Sequence, residues 1–376
     1  MLKHILLLLV IISSSIFSSK ILAIDVTYIS QTQTITPYWY NTYAVAEAAA
    51  KDLGIDLTII EGQGHRIFQT EVIEKLASAL KKPDLLIFHA YKQNAYEYFT
   101  TLEQAKIPFV TYSDFTDTDH LSSHKQLGQP LGKYKYWLSE HYVENSQGAA
   151  LLVKNLIKQA ITVKSPSNSK LKVLALSGDL ILESLKRSSG VAVQVKETDN
   201  VILVQDIIAN WSAEDAKIKF KRLYARHNGI DVVWASSDVM AIGALDGAIE
   251  LDLQPNKDIF IGGFDWNTEA IKKIKENQLS ASAGGQFYNI AWLLVQVYDH
   301  LNNQIPFTTK DQRINDKYTI IDQSNIALFE PLTNIDILSK INFYCFTKAF
   351  TRQQSYDFSM SKLLKQSKTT AKKNCQ

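Results

Sequence analysis

A chain of 376 residues is long enough for about two domains. Its 40 Lys and Arg against 38 Asp and Glu give a formal charge of +2, and because Lys3 and Lys20 lie in an acid-free leader, the rest of the chain is balanced. That balance argues against a nucleic-acid-binding body, which carries a basic patch. Two cysteines, Cys345 and Cys375, are too few for a disulfide-built scaffold, and no histidines stand beside them at zinc-site spacing.

Residues 1–23 read as a secretory signal. Lys3 supplies the positive start, Ile5–Ile12 is an apolar run too short to span a bilayer, and Ser13–Ser19 leads to Ala23 before the expected cut. The alternative is an uncleaved anchor. No cysteine lies near the cut, so a lipid-anchored form is not suggested, and the mature chain is expected to be soluble outside the cytoplasm.

From Asp25 the pattern is strand, loop, helix. Val26–Ser30 is predicted as a strand, Gln31–Thr36 as polar loop, and Tyr38–Leu53 as a helix with Pro37 in its first turn and Gly54 after its end. Ile55–Ile60 is a second strand. Phe68–Leu80 is a helix with Val72, Ile73, Leu76, Ala79 and Leu80 at apolar helical spacing, stopped by Pro83. Leu85–Phe88, Ala95–Gln104 and Phe109–Tyr112 continue as strand, helix and strand. Strands alternating with helices at this spacing mean βαβ units and a parallel sheet.

The polar stretch Ser113–Tyr136 breaks the rhythm and reads as an extended loop. His120 and His124 within it lack a third ligand, so exposure is favoured over a metal site. A helix over Gly148–Ile161 resumes the pattern. The predicted order is then strand Leu171–Leu176, helix Leu180–Ser188, strand-like Val191–Val195 and Val201–Ile207, helix Ala213–Arg226, strand Val232–Ala235 and helix Val239–Leu251. It ends with strand Ile259–Ile261, helix Thr268–Asn277, strand Leu279–Ala283 and helix Ile290–Asn302. Two successive doubly wound parallel α/β sheets follow from this. Beyond Ile321 the pattern degrades: Ile335–Phe350 has helical character, and Ser355–Gln376, with five lysines from Lys362 onward, reads as a frayed terminus or a docking tail. Cys345 and Cys375 either bridge in an oxidising compartment or stay apart.

Chemistry gathers at strand ends. In Asp258–Trp266, DIFIGGFDW, a buried strand delivers Asp265 between Phe264 and Trp266, and ligands of open α/β sheets bind beyond the carboxyl ends of strands. A carboxylate between aromatic faces suits a polyhydroxylated ligand; a helix cap beside core aromatics is the plainer reading. Thr36-Pro37-Tyr38-Trp39 follows the first strand, Ser113-Asp114 the fourth, and Ser236-Ser237-Asp238 the strand ending at Ala235, while Arg187 and Trp211 follow other second-half strands. Asp238 is either a helix cap or a ligand contact, Trp211 either core or ligand contact, and Trp266 either covers the ligand or packs behind Asp265. Gly-x-Ser-x-Gly, P-loop, His-Glu-x-x-His and EF-hand patterns are absent, so neither an enzyme nor a cofactor or metal site is expected.

Over about residues 25–322 the chain resembles the type I periplasmic sugar-binding proteins, the ribose-binding-like family. TPYW at 36–39, IPFVTYSD at 107–114, SLKRSSG at 184–190, ASSDVMAIGALDGAIE at 235–250, IGGFDW at 261–266 and QLSASAGGQF at 278–287 carry the resemblance. It implies two lobes joined by a hinge, one comprising 24–142 and 286–318, the other 143–285 and 319–330, with 331–376 as a helical extension and basic disordered tail. It further implies that Tyr38 and Trp39 stack on the ligand, that Ser113 and Asp114 bind it from the first lobe, and that Arg187, Trp211, Ser237, Asp238 and Asp265 bind it from the second. Gln286 stands near the usual hinge glutamine. Sugar binders commonly carry Asp-Arg where this chain has Ser113-Asp114, and Asn at Ser237. Ser237-Asp238 is instead similar to the Thr-Asp pair of the autoinducer-2 receptor branch. The partner so implied is the permease of an ABC importer, or alternatively a sensor histidine kinase.

Overall fold

The computed structural model describes residues 23–32, 36–89, 91, 94–112, 127–164, 170–367 and 375. The leader up to residue 22 and the stretch 113–126, with Ser113, Asp114, His120 and His124, lie outside the described residues.

The first run is β1 (Ile24–Ile29), α1 (Pro37–Leu53), β2 (Ile55–Ile60), α2 (Arg66–Ser78), β3 (Leu85–Phe88), α3 (Ala95–Ala105), β4 (Phe109–Tyr112) and β5 (Trp137–Val143). The second is α4 (Asn145–Lys164), β6 (Leu171–Ser177), α5 (Leu182–Lys196), β7 (Val201–Ile208), α6 (Ala213–Arg226), β8 (Val232–Ala235), α7 (Asp238–Ile249), β9 (Phe260–Phe264), α8 (Thr268–Lys275) and β10 (Ala281–Gly284). The chain then supplies α9 (Asn289–Asn303) and β11 (Arg313–Asp316) to the first lobe and β12 (Thr319–Asp322) to the second. Among the described residues both sheets have six strands, in the orders β11-β5-β4-β3-β1-β2 and β12-β10-β9-β8-β6-β7. Every pairing is parallel except β10 with β12. Three crossings join the lobes, after Val143, after Gly284 and after Asp316. The fold is thus two doubly wound α/β lobes joined by a hinge.

Strand order reverses on either side of β1 in the first sheet and of β6 in the second. Loops leave a doubly wound sheet in opposite directions at such a point, and the crevice between them takes ligands. The segments after β1 and β3 and those after β6 and β8 therefore lie at these switch points. Local sequence sets their geometry. Thr36 in extended conformation precedes Pro37 at the start of α1, and Gly54 ends that helix at φ 66°, a left-handed turn that costs glycine little.

Three expectations are corrected. Val191–Val195 is not a strand: it lies inside α5, where Ser184, Arg187, Val191 and Val195 are buried at helical spacing. Of the β-branched residues there, Val191 and Val195 pack on the buried face, while Val193 is exposed. The helical reading of Ile335–Phe350 gives way to 3₁₀ turns at Ile335–Ser339 and Phe343–Phe346 and a single α-turn, α11 (Lys348–Thr351), after the short α10 (Ile326–Phe329). The frayed terminus expected from Ser355 does not hold up to Ser367. There α12 (Met360–Ser367) buries Leu363 and Leu364, and Phe358 stacks on Trp292 at 4.9 Å. Cys345 and Cys375 form a disulfide. The pattern did not announce β11, β12 or β5, and β5 shows why. Its Ser139, Glu140 and His141 are fully buried polar side chains, and such groups are tolerated inside only when paired. Ser139 donates to Asp311 O at 2.8 Å, Glu140 accepts from Arg313 at 2.8 Å, and His141 Nε2 meets Gln296 Oε1 at 2.8 Å.

Candidate ligand-binding site

A cavity of about 520 Å³ lies between the two lobes, bounded by strand-end segments of both. Its size is within the range of small-molecule sites, roughly 300–1,000 Å³. Tyr38, Trp39, Arg187, Trp211, Ser237, Asp265 and Gln286 all line it.

Tyr38 and Trp39 occupy the first turn of α1, their rings 5.1 Å apart and edge-on. Beneath them Tyr43 donates to Thr32 O at 2.8 Å, fixing the loop after β1. Burial pushes the Tyr38 hydroxyl well above its ordinary pKa, so it stays a neutral donor.

Arg187 projects from α5. Its Nε donates to Asn145 Oδ1 at 2.9 Å, one terminal nitrogen to Ser236 O at 2.6 Å, and the other to Tyr318 Oη at 2.9 Å. Tyr318 in turn donates to Asn145 Oδ1 at 2.9 Å, and the guanidinium lies 4.3 Å from the Phe264 ring centre. Three of about five guanidinium N–H donors are thereby engaged, leaving two without a partner among the described residues. Burial opposes this charge, but Tyr318 and Asp265 hold Arg187 protonated more firmly than usual.

Asp265 follows β9 with φ 105°, and Trp266 follows with φ 52°. Non-glycine residues in this region store strain of order 1–3 kcal/mol each and persist there only when the surroundings over-determine them. The surroundings do so here. Asp265 N donates to Ala283 O at 2.8 Å, Trp266 Nε1 donates to Ser282 O at 3.3 Å, and the indole is wholly buried. It fills the space beside Gly284, where a Cβ would come within 2.3 Å of the ring. Trp266 therefore packs behind Asp265 and turns it toward the cavity. Gln286, reached through Gly285 at φ 101°, donates to Asp265 Oδ1 at 2.7 Å. Burial raises the Asp265 carboxyl to about 6, with the Arg187 charge and the Gln286 bond pulling the other way.

Trp211 stands at the turn after β7 with φ 56°, its ring over Gly178, where a Cβ would meet the indole at 2.1 Å. Only glycine admits the ring there. Ser237 caps α7, accepting from Met240 N at 3.3 Å, and also borders the cavity. Asp238 does not border it. Fully buried, Asp238 Oδ2 accepts from Asn267 N at 2.8 Å and Ser282 Oγ at 2.9 Å, lacing α7 to the segments after β9 and within β10. Burial and the Asp265 charge push its carboxyl well above the usual range. Ser113 and Asp114 fall outside the described residues.

Asn145, Tyr318, His89, Glu183 and Tyr112 also line the cavity, and sequence reasoning did not single them out. Asn145, Tyr318, His89 and Tyr112 sit at crossings or strand ends and Glu183 in the first turn of α5, and the rule that found Asp265 would have admitted His89 after β3 and Tyr112 at the end of β4. Among the lining residues Asp179, Glu183 and Asp265 stand against Lys186 and Arg187. Mixed signs with abundant aromatic surface suit a neutral, hydroxylated small molecule. Among the described residues no cluster of His, Cys, Asp or Glu could hold a metal ion, and no helix is long and apolar enough to cross a membrane.

Two hinged lobes around a shared cleft define a solute-binding protein architecture. A family model described as "Periplasmic binding protein domain" matches residues 26–304, and the chain belongs to that family. It is 24% identical over 268 residues to the ribose import binding protein of Bacillus subtilis, covering 70% of this chain and 77% of the relative. A periplasmic sugar-binding protein from Pseudomonas fluorescens shares the fold with a TM-score of 0.76 at 19% identity, covering 87% of this chain and 95% of that one. The periplasmic binding protein of a Shewanella arabinose ABC transporter, bound to arabinofuranose, superposes with a TM-score of 0.66 at 17% identity, covering 84% and 97%. Structural neighbours are thus type I periplasmic sugar-binding proteins.

Proposed function

We propose that this protein captures a neutral sugar or sugar-like polyol by closing its two lobes, and hands it to the permease of an ABC importer in the periplasm after removal of residues 1–23. The observation that carries the reading is the cavity itself, where the Asp265–Gln286 pair and the Arg187–Asn145–Tyr318 cluster stand beside the rings of Tyr38, Trp39 and Trp211. Carboxylate and amide accept from hydroxyls, guanidinium and amide donate to them, and aromatic faces cover the C–H surface. Ligand contributes contacts from both lobes only in the closed state, so its binding energy drives closure. No covalent step is required of any residue in the cleft. Import-type relatives support the transporter partner, and the sensor-kinase alternative draws no support from them.

The test is a thermal-shift panel of D-ribose, L-arabinose, D-galactose and myo-inositol, because a ligand selective for the folded state raises the melting temperature. At least one neutral sugar or polyol is expected to do so, with the shift lost in Trp39→Ala and Asp265→Ala. A panel without any shift, or shifts unchanged in both variants, would sink the reading. Stimulation of a purified permease–ATPase pair by the loaded protein checks the partner.

A further inference from the structure

His89 and Glu183 face each other across the cleft. His89 follows β3 at the first switch point, Glu183 stands in the first turn of α5 after β6 at the second, and Nε2 lies 2.9 Å from Oε1. Both side chains are largely enclosed, at 10% and 23% exposure. Among the described residues this is the one ion pair that joins the two lobes at the cleft; the other pairs fall within a lobe or involve the C-terminal extension.

The surroundings of His89 show that the ring is placed for the opposite lobe. Its backbone is secured at home, accepting from Gln69 Nε2 at 3.0 Å, and its ring rests edge-on against Tyr112 at 5.4 Å. Its Nδ1, however, is buried without a hydrogen-bond partner. Among the described residues the ring's own lobe therefore offers it shape but no polar partner, and the Glu183 carboxylate is the one group the ring hydrogen-bonds. Leaving a buried polar group unpaired carries its full desolvation penalty, so separating the lobes must release His89 to water or leave it unsatisfied. Glu183 is in the matching position. Burial raises its carboxyl, but the His89 hydrogen bond and charge outweigh that and hold it below the ordinary range. Among the described residues the other polar links between the lobes, Gln286 with Asp265, Tyr318 with Arg187 and Asn145, and Asn315 with Glu144, lie at the crossings and turn with the hinge. The His89–Glu183 contact lies away from the crossings, where opening separates the lobes.

We infer that His89 and Glu183 form a latch that only the closed state completes, and that the latch governs how fast the enclosed ligand leaves. The inference rests on the binding reading above. It makes both residues positioning residues: they hold the lobes together and contact each other, leaving ligand recognition to Asp265, Arg187 and the aromatic rings. Closure follows capture, so losing the latch accelerates dissociation and leaves association nearly unchanged.

Stopped-flow tryptophan fluorescence with L-arabinose, D-ribose and myo-inositol measures both rates. His89→Ala and Glu183→Ala are each expected to raise the dissociation rate about tenfold or more, the loss of one charge-assisted hydrogen bond. The double variant should exceed neither single one by more than about twofold on that scale. The exchanged pair, His89→Glu with Glu183→His, should restore slow dissociation, which a lost ligand contact would not do. Single effects that multiply in the double variant, or an exchanged pair as leaky as the single variants, would overturn the latch. A second arm needs no ligand: spin labels at Glu71→Cys on α2 and Glu214→Cys on α6 report the distance between the lobes in the empty protein. If no probe binds, this arm decides. A shift to longer distances in His89→Ala sustains the latch while the sugar reading falls, and an unchanged distribution overturns the latch.

Discussion

The Gln286 amide donates to Asp265 Oδ1 at 2.7 Å, so the second crossing between the lobes is tied to the acid at the end of β9. One hydrogen bond thus couples the second crossing to an acid that lines the cleft. Asp265 is held there at a cost, in backbone strain and in an elevated pKa.

That cost predicts an opposition between stability and binding. Asp265 is raised from the ordinary 3.8 to about 6 in the folded state. Between those values the native protein holds a proton that the unfolded chain has lost, so this group's contribution to stability declines as pH rises through that window. Above it the charged carboxylate is a net cost. Asp265→Asn is therefore expected to raise the melting temperature of the empty protein at pH 7.5, with the gain vanishing below about pH 4. The same substitution should weaken ligand binding at least tenfold. Calorimetry at both pH values, with and without ligand, checks the pair of effects; a variant less stable at pH 7.5 would contradict the assignment of Asp265 as strained and desolvated.

Gly178 and Trp211 give a prediction free of charge effects. A methyl group at Gly178 would meet the Trp211 ring at 2.1 Å, so Gly178→Ala must push the indole off its seat. Affinity is expected to fall by about tenfold through the displaced ring, and Trp211→Ala should show a similar loss. The combination should lose no more than Trp211→Ala alone, measured by titration of intrinsic fluorescence. Losses that multiply would show that Gly178 acts on something else.

The C-terminal extension is expected to contribute stability rather than recognition. Phe343 and Phe346 pack on Trp292 of α9, Lys348 pairs with Asp311 at 2.6 Å with both side chains buried, and α12 buries Leu363 and Leu364. Deleting 355–376 removes α12 and the Cys345–Cys375 bridge together. Closing a loop of sequence separation 30 contributes about 3–4 kcal/mol in the chain-entropy view. The deletion should lower the melting temperature by several degrees, and Cys345→Ser with Cys375→Ser by part of that, with ligand affinity changed less than threefold. A truncated protein as stable as the full chain would refute the packing role.

The two sheets were legible because buried parallel strands and amphipathic helices leave distinct periods in the sequence. Asp265 and the Tyr38-Trp39 pair were legible because they directly follow strands. What escaped did so for physical reasons. β5 hides behind Ser139, Glu140 and His141, whose burial depends on Asp311, Arg313 and Gln296 far along the chain. The valines at the end of α5 have strand propensity, and tertiary packing overrides it. Asn145 and Tyr318 meet at Arg187 only once two separate crossings are in place. The lysines of α12 mask a pair of buried leucines, so composition alone reads as a tail. Trp266 could not be assigned a side until Gly284 was seen beneath it.

The Cys345–Cys375 bridge also imposes an order on maturation. Its second sulfur lies beyond every strand of both sheets, so the lobes are complete in sequence before the bridge can close. A cytosol kept reducing leaves both thiols free. Protein produced there would carry finished lobes and an unfastened extension, whereas a chain delivered to an oxidising compartment would be fastened on arrival. The extension then acts as a seal set by the destination compartment, and preparations from the two routes should differ in protease sensitivity at the C-terminus before they differ anywhere else.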